Sequence, residues 1–116
     1  MFSTAVLERA IVKEEENREK LRKQLLKGLI EALDKLAQEI PFDEAYIFGS
    51  VSRPYGFRRG SDLDIGFKGL NDENFFRAMS FISREVGVDN VDLVQLEGHR
   101  LEDKIKQEGI RWNRKG

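Results

Sequence analysis

Cysteine is absent from this 116-residue sequence, and histidine, tryptophan and proline are rare, with one, one and two copies. Without cysteine the chain forms no disulfide and offers no thiol nucleophile, which suits a reducing compartment. The single histidine, His99, follows Gly98 at a predicted helix start and is interpreted as a capping or surface residue. The sequence also lacks a Gly-x-x-x-x-Gly-Lys motif, which argues against a P-loop.

The sequence has no excess of charge and no long apolar run. Twenty Lys and Arg residues against 21 Asp and Glu residues give a formal charge of −1, so no overall field attracts nucleic acid or a membrane surface. No apolar run reaches the ~20 residues of a membrane span, and Glu8 interrupts the apolar start too early for a signal peptide. We therefore expect a cytoplasmic protein of one domain, with a helical segment at residues 1–40 and a main body at residues 41–116.

Residues 3–40 have helical periodicity, with Ser3 or Thr4 as a cap and an end before Pro41. A core-facing apolar stripe is formed by Leu21, Leu25, Leu29, Leu33, Leu36 and Ile40. Residues 13–20 carry no apolar side chain and are expected to be solvated on every side. One continuous helix would span about 55 Å and leave the apolar cluster at residues 6–12 uncovered, as a docking surface for a partner or a second copy. A break near residue 14 would instead fold that cluster back, and both alternatives fit the sequence.

Beyond Pro41 the pattern predicts three strands, at residues 45–48, 62–68 and 91–96. A helix between the last two is expected to start at the N-cap Asn71 and to end before Gly87. Its predicted buried face consists of Phe75, Phe76, Met79, Ile82 and Val86. A final helix at residues 99–108 is expected to end in a Schellman motif at Gly109 and Ile110, with Trp112 on the sheet edge. This order predicts an α/β (α+β) fold with a small mixed β-sheet, helices packed on one face, and a long N-terminal helix.

Three aspartates occur inside predicted strands, where aspartate is disfavoured. Asp62 and Asp64 are two residues apart and therefore point to the same face, while Leu63 and Ile65 point to the other. Two carboxylates about 4 Å apart repel by roughly 4 kcal/mol at an effective dielectric near 20. A divalent cation removes that repulsion, so Asp62, Asp64 and the third acid Asp92 predict a magnesium site.

A glycine–serine pair leaves the first predicted strand at Gly49 and Ser50. Glycine accepts positive φ and lets a ligand approach the backbone, and a helical turn opening at Ser50 would aim donors at an anion. The loop that follows carries Arg53, Arg58 and Arg59, whose guanidinium groups can grip phosphate oxygens. The ordered combination predicts a phosphate-binding turn beside the magnesium site.

The segments Phe48-Gly49-Ser50-Val51-Ser52-Arg53 and Gly60-Ser61-Asp62-Leu63-Asp64-Ile65 resemble the DNA polymerase beta-like nucleotidyltransferase superfamily, most closely its minimal nucleotidyltransferase (MNT) group. The resemblance covers about residues 42–112. It implies that Asp62, Asp64 and Asp92 bind two Mg²⁺ ions, and that Gly49 and Ser50 hold the triphosphate of ATP. Arg53 matches an arginine often found three residues after that serine, and Arg59 is a further candidate phosphate ligand.

This sequence departs from the family pattern in the phosphate loop. Eleven residues rather than ten separate Ser50 from Asp62, and Pro54 stands where a glycine commonly follows the arginine, with Gly56 two places later. The implied mechanism is two-metal phosphoryl transfer, with Asp92 as the general base.

MNT proteins are antitoxins of HEPN-domain toxins, so the resemblance implies a HEPN-family partner that receives AMP. A chain of this size leaves no segment for an acceptor-binding domain, which also favours a protein acceptor. The alternatives are an antitoxin that neutralises its partner by binding only, or a transferase acting on an antibiotic or on RNA ends. The neutral net charge argues against RNA. A small α/β domain whose aspartates only decorate strand ends is the simplest alternative.

Overall fold

The structure is a computed structural model that describes residues 4–114; Ser3, one of the two candidate helix caps, lies outside them. Three helices, one 3-10 turn and four strands follow one another along the chain. They are α1 (Thr4–Glu39), β1 (Glu44–Phe48), the 3-10 turn (Ser50–Ser52), β2 (Leu63–Lys68), α2 (Asp72–Val86), β3 (Val91–Gln95), α3 (Glu102–Glu108) and β4 (Ile110–Trp112). No helix among the described residues is long and apolar enough to cross a membrane.

Helix α1 is continuous, which decides between the two alternatives for the N-terminal segment. It ends at Glu39, before the bend that leads into Pro41, because the residue preceding a proline avoids the helical region. Its length sets the long dimension of the molecule, 58 × 28 × 26 Å. The side chains of Leu7, Ile11 and Val12 are about half exposed, since this end of the helix projects beyond the body.

The expectation that residues 13–20 are solvated on every side is wrong at Glu19. This side chain is buried together with that of Arg22. The two pair with each other and with the loop after the 3-10 turn. A charged residue is buried only where partners satisfy it, and here those partners come from a distant part of the chain.

The sheet has four strands in the order β3-β2-β1-β4. Strand β1 is antiparallel to both β2 and β4, whereas β2 and β3 run parallel. The mixed sheet is therefore confirmed. Strand β4 was not predicted, and it places Trp112 on the outermost strand. The predicted Schellman motif is wrong, because Gly109 is extended (φ −75°, ψ 165°) and leads directly into β4.

The two faces of the sheet pack against different helices. Leu63, Ile65 and Phe67 of β2 belong to the main core, which also contains Leu29 of α1 and Ile82 of α2. The opposite face carries a smaller cluster of Tyr46, Leu96 and Ile105, the last from the short helix α3. The two long helices thus lie on one face, as expected, and leave one end of the other face open to ligands.

Helix α2 follows the prediction at both ends but not along its whole face. Asn71 precedes it in an extended conformation, without a side-chain capping bond, and Gly87 after it is left-handed (φ 80°). Phe76, predicted to be buried, is 75% exposed. Successive helical residues lie about 100° apart, so Phe75 faces the core and Phe76 packs edge-on against its ring from outside, with the centroids 5.4 Å apart.

Truncating one leucine in each half of α1 tests the division between core and projection. Leu29 is fully buried and Leu7 is 52% exposed. We expect Leu29→Ala to reduce the free energy of unfolding by about 2–5 kcal/mol and Leu7→Ala to change it by less than about 0.5 kcal/mol. Urea unfolding at low micromolar protein measures both. Equal losses would contradict the projecting helix.

Candidate active site

The parallel pairing of β2 and β3 brings two of the predicted acids side by side. Asp64 and Asp92 are register partners, and paired residues of neighbouring strands point to the same face. Asp62 precedes β2 and is exposed, as is Asp92, whereas Asp64 is half-buried. Leu63 and Ile65 point the other way, into the main core. Leu63 and Ile65 thus point away from Asp64 as expected, whereas Asp62 lies just before the strand in which it was predicted.

Gly49 lies directly against Asp64. Phe48, the last residue of β1, pairs with Asp64 across the sheet, so the chain leaves β1 beside that carboxyl. A Cβ atom on Gly49 would overlap Oδ2 of Asp64, and Gly49 has φ 75°, a value that disfavours residues with a side chain. Both constraints require glycine at this position. Because Gly49 has no side chain, the start of the Gly-Ser turn can lie in contact with the acid.

The electrostatics of Asp64 follow from its position. Burial, as the larger cause, and the neighbouring charges of Asp92 and Asp62 together raise the pKa of its carboxyl to about 6. Each of these effects penalises the charged form. A cation bound among the three carboxylates would reverse the repulsive contributions.

The donor set fits magnesium in its chemistry, because Mg²⁺ prefers carboxylate oxygens and retains several waters. The residues described do not, however, contain a group of three acidic, histidine or cysteine side chains already arranged to hold a metal ion. Asp62 and Asp92 are exposed, so their side chains can turn toward a cation if one binds to the half-buried carboxylate of Asp64. The site therefore has the required ligands without a preformed cage.

The Gly-Ser pair opens the short helical turn that its sequence suggested. Within the turn Ser52 donates to the Gly49 carbonyl from both its backbone N–H (3.1 Å) and its hydroxyl (2.7 Å). The backbone N–H of Arg53 donates to the Ser50 carbonyl at 3.2 Å. These bonds close the turn tightly around Gly49, next to Asp64.

A cavity of about 180 Å³ lies beside the Gly-Ser turn, on the side away from Asp92. Its walls come from the end of β1, the turn and α3: Phe48, Gly49, Ser52, Arg53, Leu101, Lys104, Ile105, Glu108 and Gly109. Arg53, one of the predicted phosphate ligands, lines this cavity. Arg58 and Arg59 are exposed in the same loop but do not line it. Their role in phosphate binding stays a prediction.

Two residues at the site had no signal in the sequence. Lys104 adds a second cation to the cavity, but a lysine in a helix that is rich in charge does not stand out. Asn90 holds the end of the loop through two hydrogen bonds. Its side-chain amide nitrogen donates to the Ser61 carbonyl, and its backbone carbonyl accepts from the backbone N–H of Leu63 at 2.9 Å. These bonds fix the backbone on both sides of Asp62.

His99 lies at the approach to α3, whose first residue is Glu102 rather than residue 99. Its Nδ1 accepts a hydrogen bond from the backbone N–H of Leu101 at 3.1 Å. This bond lies in the turn before the helix and does not cap it, because the N-cap residue is Leu101 and no side chain bonds the first turn of α3.

The raised pKa of Asp64 makes the metal-free protein pH-sensitive. A carboxyl that binds protons more tightly when folded contributes stability at low pH, and that contribution is lost as pH rises from about 4 through 6. We expect Asp64→Asn to remove this loss. The change that the substitution causes in the free energy of unfolding should therefore be more favourable at pH 7 than at pH 4 by roughly 1–2 kcal/mol, allowing for solvent screening.

Urea unfolding in chelator between pH 4 and 7.5 measures this difference. Glu19, whose pKa hydrogen bonding to Arg22 lowers to about 2, begins to lose its contribution as pH falls below about 4.5, but it does so in both proteins and cancels in the difference between them. Parallel pH profiles for the two proteins would contradict the account.

This chain is similar to a solved structure in both fold and sequence. The solved structure is that of a proposed nucleotidyltransferase from Sulfolobus solfataricus, with a TM-score of 0.51 and 33% sequence identity over 81% of this chain and 84% of that one. No family model and no curated protein matches the chain. Sequence identity at this level over most of both chains shows that the two proteins share a family as well as a fold. The chain belongs to the nucleotidyltransferase superfamily.

Proposed function

We propose that this nucleotidyltransferase is magnesium-dependent and transfers AMP from ATP to a hydroxyl group of a partner protein, a toxin of the HEPN family that it thereby neutralises. One observation supports the proposal above the others: Asp64 and Asp92 are neighbours on one face of the sheet, and Gly49 at the start of the Gly-Ser turn contacts Asp64. Carboxylates beside a phosphate-binding turn are what phosphoryl transfer requires.

Asp62, Asp64 and Asp92 would hold the magnesium. When bound, Mg²⁺ neutralises triphosphate charge and lowers the pKa of an attacking hydroxyl. Asp64 is the fixed member of the set because β2 and Gly49 confine it, whereas the two exposed carboxylates adjust to it. Burial is the largest cause of the raised pKa of Asp64, but the charges of Asp92 and Asp62 also contribute, and this contribution supports the assignment, since close like charges without a cation are costly.

The Gly-Ser turn and the cavity beside it would receive the phosphates. Gly49 allows close approach of the triphosphate to the backbone, and Ser50 offers its amide and hydroxyl. Arg53 and Lys104 line the adjoining cavity and bring positive charge to the end of the triphosphate that departs as pyrophosphate.

In the transfer step the acceptor hydroxyl oxygen attacks the α-phosphorus of ATP. The bond from this phosphorus to the pyrophosphate oxygen breaks, and the hydroxyl proton passes to the carboxylate of Asp92. Asp92 suits this role because it is exposed and can be reached by a side chain of another protein. Asp64 is confined beneath the Gly-Ser turn and serves as a ligand instead.

The shape of the site favours a protein acceptor. The cavity beside the turn is already given to the phosphates, and Asp92, the base that would meet the acceptor, is exposed and does not line that cavity. The acceptor would then be positioned mainly by contacts elsewhere. The exposed apolar end of α1, with Leu7, Ile11 and Val12, offers such a contact surface.

A second candidate function is neutralisation of the toxin by binding alone. The absence of a preformed three-ligand group among residues 4–114 favours this alternative, because a site that has lost its activity would no longer need one. The fold and the docking surface would serve both functions.

Incubation with labelled ATP, Mg²⁺ and a HEPN-family protein encoded by the neighbouring gene tests the proposal. We expect label on the partner, reduced at least about a hundredfold by Asp64→Asn, since loss even of groups that support a metal ligand costs 10–100-fold. Glu73→Gln, at an exposed position in the first turn of α2, is the matched control and should label normally.

A tight complex without label would overturn the transferase and favour neutralisation by binding. Equal labelling by the wild type and Asp64→Asn would refute the role given to Asp64.

A further inference from the structure

Helix α1 carries a buried ion pair at the level of the Gly-Ser turn. Arg22 Nε donates to both carboxylate oxygens of Glu19 at 2.9 and 3.1 Å, and Nη2 donates to Oε1 at 2.6 Å. Glu19 is 7% exposed and Arg22 is 6% exposed. An exposed pair at this spacing is common on helices and stabilises them only slightly. Burial of the pair is the feature that calls for a partner.

The partner is the backbone of the Gly-Ser turn and of the loop that follows it. Arg22 Nη1 donates to the Val51 carbonyl at 2.9 Å, and Glu19 Oε2 accepts from the Tyr55 backbone N–H at 2.7 Å. One side chain of the pair thus supplies a donor and the other an acceptor, and the loop backbone has the complementary group at each point. Buried charges are retained when such bonds satisfy them.

The two anchored residues lie on either side of Arg53. Within this segment the backbone N–H of Gly56 donates to the Arg53 carbonyl at 2.9 Å. A Cβ atom on Gly56 would lie 3.0 Å from the Ser50 carbonyl oxygen, so the segment is folded closely onto its own start. Fixing the backbone at Val51 and Tyr55 therefore fixes the point from which the Arg53 side chain enters the cavity.

The loop needs an external anchor because its conformation is strained. Tyr55 has φ 60°, in the left-handed region that disfavours a residue with a side chain. Its side chain is 70% exposed, so packing contributes little to holding it there. The hydrogen bond from its N–H to Glu19 is the contact that opposes relaxation of this residue.

We propose that Glu19 and Arg22 are positioning residues for the phosphate-binding loop, so that the N-terminal helix completes the transferase site. The inference rests on the proposed function for its catalytic consequence, but the anchoring itself is measurable without nucleotide. The helix then has two separate uses: its exposed end docks a partner, and its middle turns hold Arg53 in place.

Exchange of the two charges separates anchoring from simple helix stabilisation. In the double variant Glu19→Arg/Arg22→Glu the ion pair within the helix remains. Arginine at position 19, however, cannot accept from Tyr55 N–H, and glutamate at position 22 cannot donate to the Val51 carbonyl. The matched control exchanges an ion pair between α1 and α2, Lys35→Glu/Glu85→Lys, whose members lie 3.0 Å apart and make no hydrogen bond to the loop.

Limited trypsin digestion measures directly how often the loop opens. We expect cleavage after Arg58 and Arg59 to become at least about tenfold faster in the Glu19/Arg22 exchange, because loss of one charged hydrogen bond favours local opening by about that factor. The KM for ATP in the transfer assay should rise by a similar factor with kcat changed less, and the control exchange should leave both unchanged.

A second pair of variants keeps the test decisive if the exchange fails to fold. Glu19→Gln retains an acceptor for Tyr55 N–H and should stay within about threefold of wild-type cleavage, whereas Glu19→Met removes it and should match the tenfold effect. Wild-type cleavage rates in the exchange or in Glu19→Met would overturn the anchoring. Faster cleavage with an unchanged KM would overturn the catalytic consequence. If the wild type neither binds nor uses ATP, the transferase proposal fails and the cleavage rates alone decide the anchoring.

Discussion

The contact between Gly49 and the carboxyl of Asp64 is the constraint on which the site depends. Strand β1 must end beside Asp64, and the turn that leaves it must have no side chain, because a Cβ atom would occupy the space of the carboxyl oxygen. The same glycine takes a positive φ that starts the 3-10 turn at Ser50. One residue therefore sets both the direction of the Gly-Ser turn and its distance from the acid.

The sheet tolerates the destabilising charges at this site because its two faces are packed differently. Burial of apolar side chains drives folding, and most of that burial occurs on the face covered by α1 and α2. The opposite face needs only a small cluster with α3, so the ends of β1, β2 and β3 remain free for charged residues. Desolvation of Asp64 and repulsion from its neighbours are tolerated because the main core lies on the far side. The anchoring that we propose for Glu19 and Arg22 depends on the same separation, since α1 packs on the main core and its middle turns reach Val51 and Tyr55.

Local patterns were sufficient for three of the four strands and for the three helices among the described residues, but not for contacts between distant segments. The alternation around Asp62 and Asp64, and the embedding of Asp92 among apolar residues, predicted strands whose acids share a face. Strand β4 has only three residues, too few for a period to be recognised, so it was missed. The burial of Glu19 depends on backbone groups more than thirty residues away, and a run of charged residues otherwise indicates solvent. Phe76 was misassigned because adjacent aromatic residues share an apolar signal while pointing about 100° apart on a helix.

Paramagnetic broadening by Mn²⁺, used in place of Mg²⁺ because both favour oxygen ligands, tests the central claim most directly. In NMR spectra of the wild type, we expect substoichiometric Mn²⁺ to broaden the amide signals of Gly49, Asp64 and Asp92 first, and Asp64→Asn to abolish this selectivity. The three consecutive glutamates at positions 14–16 provide an internal reference for attraction of a cation by charge alone. Broadening centred on those glutamates, or spread evenly over the surface, would contradict a metal site formed by Asp62, Asp64 and Asp92 beside the Gly-Ser turn.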